Sequence, residues 1–203
     1  MTEPFNPLDI TNLGVSLATA MLASEPTRMD NLGAFAGAGI YAIYYVGPLP
    51  MYELLTAANA DGQFRQPIYV GKAVPQGARK GVVVGATTTT RALSSRLREH
   101  STSIAAATNL ALTDFHCRWL VTEPIWIPLG ESLLISKFAP VWNTIVDGFG
   151  NHDPGAGRVA GMVSRWDVLH PGRPWVQRFA PRTETAESIE NDVREYLRAR
   201  LQV

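Results

Sequence analysis

Glu131 stands where a helix covering a core would carry an aliphatic side chain. Pro128 suits the first turn of that helix, and Pro140 stops it after about Phe138. At ~100° per residue, Glu131 falls between Leu134, Ile135 and Phe138 on an apolar face. A carboxylate there is costly unless a cation meets it, either Arg96 in a buried ion pair or a metal ion. A hard divalent ion such as Mg²⁺ suits a lone carboxylate, because it keeps most of its waters and also binds a substrate phosphate. The lack of a second acid nearby favours one ion over two. On an upstream helix, Arg96 and His100 lie one turn apart, only ~40° apart in azimuth, beside Leu93 and Leu97. There an arginine can clamp a phosphate with two hydrogen bonds, and a histidine can accept or relay a proton. The plainer alternative is an arginine that snorkels past a structural histidine.

Two strands must position partners for these groups. The runs GIYAIYYV from Gly39 and PIYVGK ending at Lys72 are rich in β-branched and aromatic residues and bounded by Gly and Pro, which predicts neighbouring strands carrying Tyr41 and Tyr69. Between them, Gly47-Pro-Leu-Pro breaks the chain, and MYELLTAANA predicts a short helix that reads as an insertion. A second insertion, Val74 to Thr89, is Gly-rich and carries Arg79 and Lys80, which suits either close approach to a ligand backbone or a plain surface loop. Upstream, Asp9 or Thr11 caps a helix to about Ser24 with Ile10, Leu13, Leu17 and Met21 on one side. FHCRWLV predicts a third strand, with Cys117 an inert core thiol. The last helix, about 185–201, aligns Ile189, Val193, Leu197 and Leu201, to close the core or support a dimer. Asn151-His152-Asp153, set among Gly and Pro, reads as a turn rather than a second metal site.

A chain of 203 residues at 46% hydrophobic supports one core, expected as a single domain with a nucleus at about 37–145, an N-terminal arm at 1–36 and a C-terminal extension at 146–203. The fold class expected is α/β of the α+β kind: a small, mainly antiparallel, three-stranded sheet from 39–46, 68–71 and 115–121, flanked by helices. One cysteine forbids an internal disulfide. No apolar run approaches the ~18 residues of a membrane helix, and MTEPFNPLD lacks a basic leader segment, so the expectation is a soluble, cytoplasmic protein. Net charge is zero, yet the charges segregate: 62–100 holds seven basic residues against one acid, 154–182 is again basic, and acids gather after Glu184. Arginine outnumbers lysine fifteen to three, and guanidinium forks suit phosphates and guanine edges. The pattern fits a polyanion partner or a merely solvated basic face.

Taken in order, Gly39-Ile40-Tyr41, Tyr69-Val70-Gly71-Lys72, Arg96, His100, Glu131 and Pro140-Val141-Trp142-Asn143 resemble the GIY-YIG nuclease family over roughly residues 37 to 145. The resemblance implies that Tyr41 and Tyr69 are the two motif tyrosines, Arg96 the helix arginine, Glu131 the metal ligand and Asn143 the late asparagine. Val70 departs from the usual isoleucine, and a histidine at the place of His100 occurs in only some branches. The two insertions, the string LGESLLISKFAPVWN and the following GFGNHDPGAGR are similar to the branch of restriction endonucleases that cut CCGCGG. This implies Mg²⁺-dependent hydrolysis of double-stranded DNA at a GC-rich palindrome, one Mg²⁺ per site with Mn²⁺ as a substitute, a bacterial cytoplasmic setting, and a homodimer whose two-fold axis matches the palindrome.

In this scheme Tyr41 takes the proton of the attacking water. A phenol with its usual pKa near ~10 needs help, from His100, Lys72 or the phosphate itself. Tyr69 and Asn143 orient water, phosphate and Glu131. Arg79, Lys80, Arg173 and Arg178 are the expected DNA contacts. The competing expectations are a structure-specific or homing nuclease of the same family, a catalytically silent DNA-binding domain on its scaffold, and an unrelated enzyme.

Overall fold

The computed structural model describes residues 9–75, 89–153 and 161–201. Its centre is the strand β2 (Gly39–Tyr45), all seven of whose residues are buried. A strand with two covered faces needs apolar residues at every position rather than alternation, and GIYAIYY supplies them. Tyr41, Ile43 and Tyr45 enter one core cluster, while Ile40, Ala42 and Tyr44 enter the other. Around β2 the sheet also contains β1 (Thr27–Arg28), β3 (Tyr69–Ala73) and β4 (Phe115–Val121), in the order β1-β4-β2-β3 with every pairing antiparallel. Three of these strands are the expected ones. The fourth, β1, is too short to show any periodicity in sequence.

Helices cover both faces. On one lie α1 (Ile10–Ala23) and α4 (Ile127–Phe138), joined by packing against each other. The side chain of Asp9 accepts from Thr11 N at 2.7 Å and caps α1. The buried face of α1 is Gly14, Ala18 and Met21, and Ile10 is exposed, so the helix is rotated from the face that its larger aliphatics suggested. Small residues at 14 and 18 let it approach α4 closely. This N-terminal helix is a packing element rather than a free arm. Between β2 and β3 the insertion does contain a short helix, α2 (Glu53–Ala58).

The opposite face is covered by α3 (Ala92–Ala106), α5 (Val141–Thr144), α6 (Arg165–Leu169) and α7 (Ala186–Leu201). Ile189, Val193 and Leu197 of α7 are buried in the same cluster as Tyr41, so the last helix closes this core. Cys117 is buried in β4, and burial pushes its thiol up to about 12, which makes it unreactive. Among the described residues no helix is long and apolar enough to cross a membrane.

Candidate active site

The two helices that carry the candidate residues lie on opposite faces of the sheet, and only an edge strand can bring them together. β3 is that edge. Its side chains alternate, so Tyr69 and Gly71 face α3 while Val70 and Lys72 face α4. A cleft of about 1010 Å³ opens here, lined by Tyr41, Tyr69, Lys72, Arg96 and Glu131 together with Arg91, Glu99 and His152.

Gly71 lies opposite Tyr41 in the β2–β3 register, and a Cβ on it would sit 2.4 Å from the Tyr41 hydroxyl. Tyr41 therefore lies across the bare backbone of the second motif. Gly39 has a different role: a Cβ there would meet the Leu120 carbonyl oxygen at 1.9 Å, so this glycine permits β2 and β4 to begin in register.

The free edge of β3 is closed by one side chain. Asn143 Oδ1 accepts from Val70 N at 2.8 Å, and Asn143 Nδ2 donates to Val70 O at 2.8 Å, so its amide stands in for one residue of a further strand. Asn143 is absent from the cleft wall. It was expected beside water and phosphate; both ends of its amide are instead bonded to the strand that bears Tyr69 and Lys72.

α3 is tied to the chain before β2. Leu93 N donates to Gly37 O at 3.0 Å, and Ser94 Oγ donates to Phe35 O at 2.9 Å. This fixes Arg96 and His100 against Tyr41. Tyr41 Oη lies 2.6 Å from His100 Nε2. Burial, the larger cause, and the nearby Arg96 hold His100 well below its ordinary pKa, while burial holds Tyr41 well above its own. These shifts favour the neutral form of both groups, and the Tyr41 hydroxyl donates to Nε2 in the tautomer that carries its proton on Nδ1. Tyr69 is likewise shifted up by burial and sits with its ring 6.3 Å from that of Tyr41.

Arg96 is held on three sides. It donates to Glu99 Oε2 at 2.9 Å and to the Gly150 carbonyl at 3.0 Å, and it meets His152 Nε2 in a very short contact. Of the two cations expected for Glu131, Arg96 or a metal ion, Arg96 does not pair with it. Glu131 Oε2 accepts from Lys72 Nζ at 2.5 Å, with the carboxylate one-fifth exposed and facing the cleft. A lone, partly open carboxylate with room for water fits a hard divalent cation, and Lys72 would share it with such an ion.

His152, expected in a turn rather than in a second metal site, lines the cleft. Its signal in sequence is slight: a polar residue in a Gly-rich segment that topology returns to α3.

The basic segments fare unequally. Lys72, Arg91 and Arg96 of the first face the cleft. Arg79 and Lys80 lie outside the described residues. In the second segment Arg165 pairs with Glu184 and Asp192, Arg182 with Glu184, and Arg178 with Asp153. Arg173 is buried and donates to both oxygens of Asp167 at 2.6 Å. The expectation that Arg173 reads DNA is therefore corrected, since its guanidinium is internal and fully engaged. Two of the late acids, Glu184 and Asp192, fold back onto Arg165 and Arg182, so part of the segregation along the chain is cancelled in space.

A small antiparallel sheet with one tyrosine on its edge strand and another on the strand beside it, an arginine helix on one face and a glutamate helix on the other, is the arrangement of a GIY-YIG domain. The model of the Eco29kI GIY-YIG domain matches residues 33–197, and the chain belongs to that family, one of GIY-YIG restriction endonucleases. None of the curated proteins matches it. The matched stretch reaches well past Asn143, so the C-terminal extension belongs to the family's domain.

Proposed function

We propose that the protein is a type II restriction endonuclease that hydrolyses double-stranded DNA at a short GC-rich palindrome of the CCGCGG kind, using one Mg²⁺ per site and acting as a homodimer. Membership of the Eco29kI GIY-YIG domain family supports the nuclease class. The observation that carries the mechanism is the meeting of Tyr41, Arg96, Lys72 and Glu131 around one cleft at the β3 edge.

Arg96 presents its guanidinium to the scissile phosphate and exchanges Glu99 and His152 for phosphate oxygens, so the bidentate bond forms where charge develops. Glu131 would hold the Mg²⁺, which when bound offsets charge on the phosphate and the leaving 3′ oxygen. Tyr41 works without becoming a phenolate. Its Oη accepts a hydrogen bond from the attacking water while donating to His100 Nε2. As water attacks phosphorus, its proton passes to Oη and the phenolic proton to Nε2. Nε2 of the neutral His100 is the site at the end of this relay, and because burial and Arg96 oppose its charging, the relay needs the negative charge of the bound phosphate to stabilise the imidazolium. Tyr69, beside both rings, orients the phosphate.

Incubating the protein with a sequenced plasmid, with and without Mg²⁺, tests the reading. Discrete Mg²⁺-dependent fragments with ends at one palindrome are the expected result, and Glu131→Gln should keep DNA binding while cleaving about a thousandfold or more slowly. A gel shift with no cutting would instead make the chain a silent binder. Near-normal cutting by Glu131→Gln would remove the metal assignment.

A further inference from the structure

Arg173 was a candidate for the DNA surface and is instead the most thoroughly engaged arginine among the described residues. Besides Asp167, it donates to the carbonyls of Gly148 at 3.0 Å, Phe149 at 3.3 Å and Asn151 at 3.2 Å. Its guanidinium lies 4.5 Å from the ring of Trp166 and 4.7 Å from that of Trp175. Asp167 is fixed in turn by Ser164, whose hydroxyl donates to Oδ2 at 2.6 Å.

One carbonyl in the segment 148–151 is missing from that set. Gly150 O points the other way and accepts from Arg96 at 3.0 Å. The segment is thus threaded between two arginines, one buried and one in the cleft, which take its carbonyls from opposite sides. It also seats Phe149, whose ring stacks on His100 with centroids 4.5 Å apart and planes 17° apart, and it carries His152 to the cleft. Nothing else among the described contacts orients the Gly150 carbonyl.

We infer that Arg173 is a positioning residue of the nuclease site: by gathering the carbonyls of Gly148, Phe149 and Asn151 it turns the Gly150 carbonyl onto Arg96 and aims that guanidinium across the cleft. The inference rests on the reading of Arg96 as the phosphate clamp. It places a determinant of turnover in the C-terminal extension, on a residue that touches no substrate. A lysine at 173 keeps the charge that Asp167 needs but loses the planar fork that reaches several carbonyls at once.

The test uses the full chain with Arg173→Lys, Arg96→Lys and the double variant. In ¹⁵N-edited NMR spectra without DNA, Arg173→Lys is expected to shift the Nε–Hε signal of Arg96. Affinity for duplex DNA in metal-free buffer should stay within about twofold, and single-turnover cleavage should fall about 10- to 100-fold, the scale on which a small misplacement acts. On the Arg96→Lys background the same substitution should change the rate by less than about twofold. An unmoved Arg96 signal would overturn the inference whether or not the protein cleaves DNA, and so would an equal loss on the Arg96→Lys background. Wild-type cleavage by Arg96→Lys alone would instead overturn the clamp reading.

Discussion

Two buried tyrosine–histidine pairs make the same bond in different surroundings. Tyr41 meets His100 at 2.6 Å and Tyr52 meets His170 at 2.8 Å. In both, burial raises the phenol and lowers the imidazole. They differ in what else reaches the hydroxyl. Tyr52 Oη also accepts from Trp142 Nε1 at 2.8 Å, and His170 Nδ1 meets Asn109 Oδ1 at 3.1 Å, so the Tyr52 hydroxyl is taken up by protein groups on both sides. Tyr41 shares its cleft with Arg96, Lys72 and Glu131. A short bond between shifted groups is therefore no mark of chemistry. What separates the pairs is that the Tyr41 hydroxyl borders a cleft with Arg96, Lys72 and Glu131, where charge can be handled.

The contrast can be broken most forcefully with Tyr41→Phe and Tyr52→Phe. Tyr41→Phe removes the relay atom and should cut single-turnover cleavage about 100- to 1000-fold, the range of general acid–base contributions. Tyr69→Phe should lose less, and the reverse order would exchange their roles. Tyr52→Phe should leave the cleavage rate unchanged. If both core and cleft variants slowed cleavage equally, access would not be the distinction.

The next effect is on stability and belongs to His170, which burial lowers to about 3. Its folded pKa lies below the unfolded value near ~6.5, so the unfolded chain binds more protons and stability is lost as pH falls through about 6.5 toward 3. Between pH 8 and pH 5 this residue alone should account for about 2 kcal/mol of lost stability. Urea unfolding of wild type and His170→Gln at the two pH values measures it, and equal slopes for both proteins would refute the assignment.

The smallest effect expected is the stability loss in Tyr52→Phe, about 1–2 kcal/mol, from the Trp142 and His170 groups left without their partner. Urea unfolding at pH 8 supplies the value.

Much of this arrangement was legible beforehand, and for physical reasons. Periodicity and turn residues located β2, β3, β4 and the long helices, because long elements buried on a face must declare that face. Five residues of the cleft, Tyr41, Tyr69, Lys72, Arg96 and Glu131, were readable from the order of the motifs and the oddity of a carboxylate at 131. Partnerships were not. Glu131 meets Lys72 rather than Arg96 because Lys72 leaves β3 on the face that α4 covers while Arg96 lies on α3 across the sheet, and one residue of register along β3 would reverse the face of Lys72. The burial of Arg173 depends on α6, whose five residues are too few to show a period. His152 is brought to Arg96 only by the return of a Gly-rich segment across α3.

The space under Tyr41 bears on how the family's signature is composed. The glycine that ends the second motif is vacant on behalf of the tyrosine that ends the first, so the two strings form a single lock and key written 27 residues apart. Grafting either string alone into another sheet would yield a tyrosine without a berth or a berth without a tyrosine. A designer borrowing this cleft has to carry both strands over together, in the register that sets Tyr41 opposite Gly71.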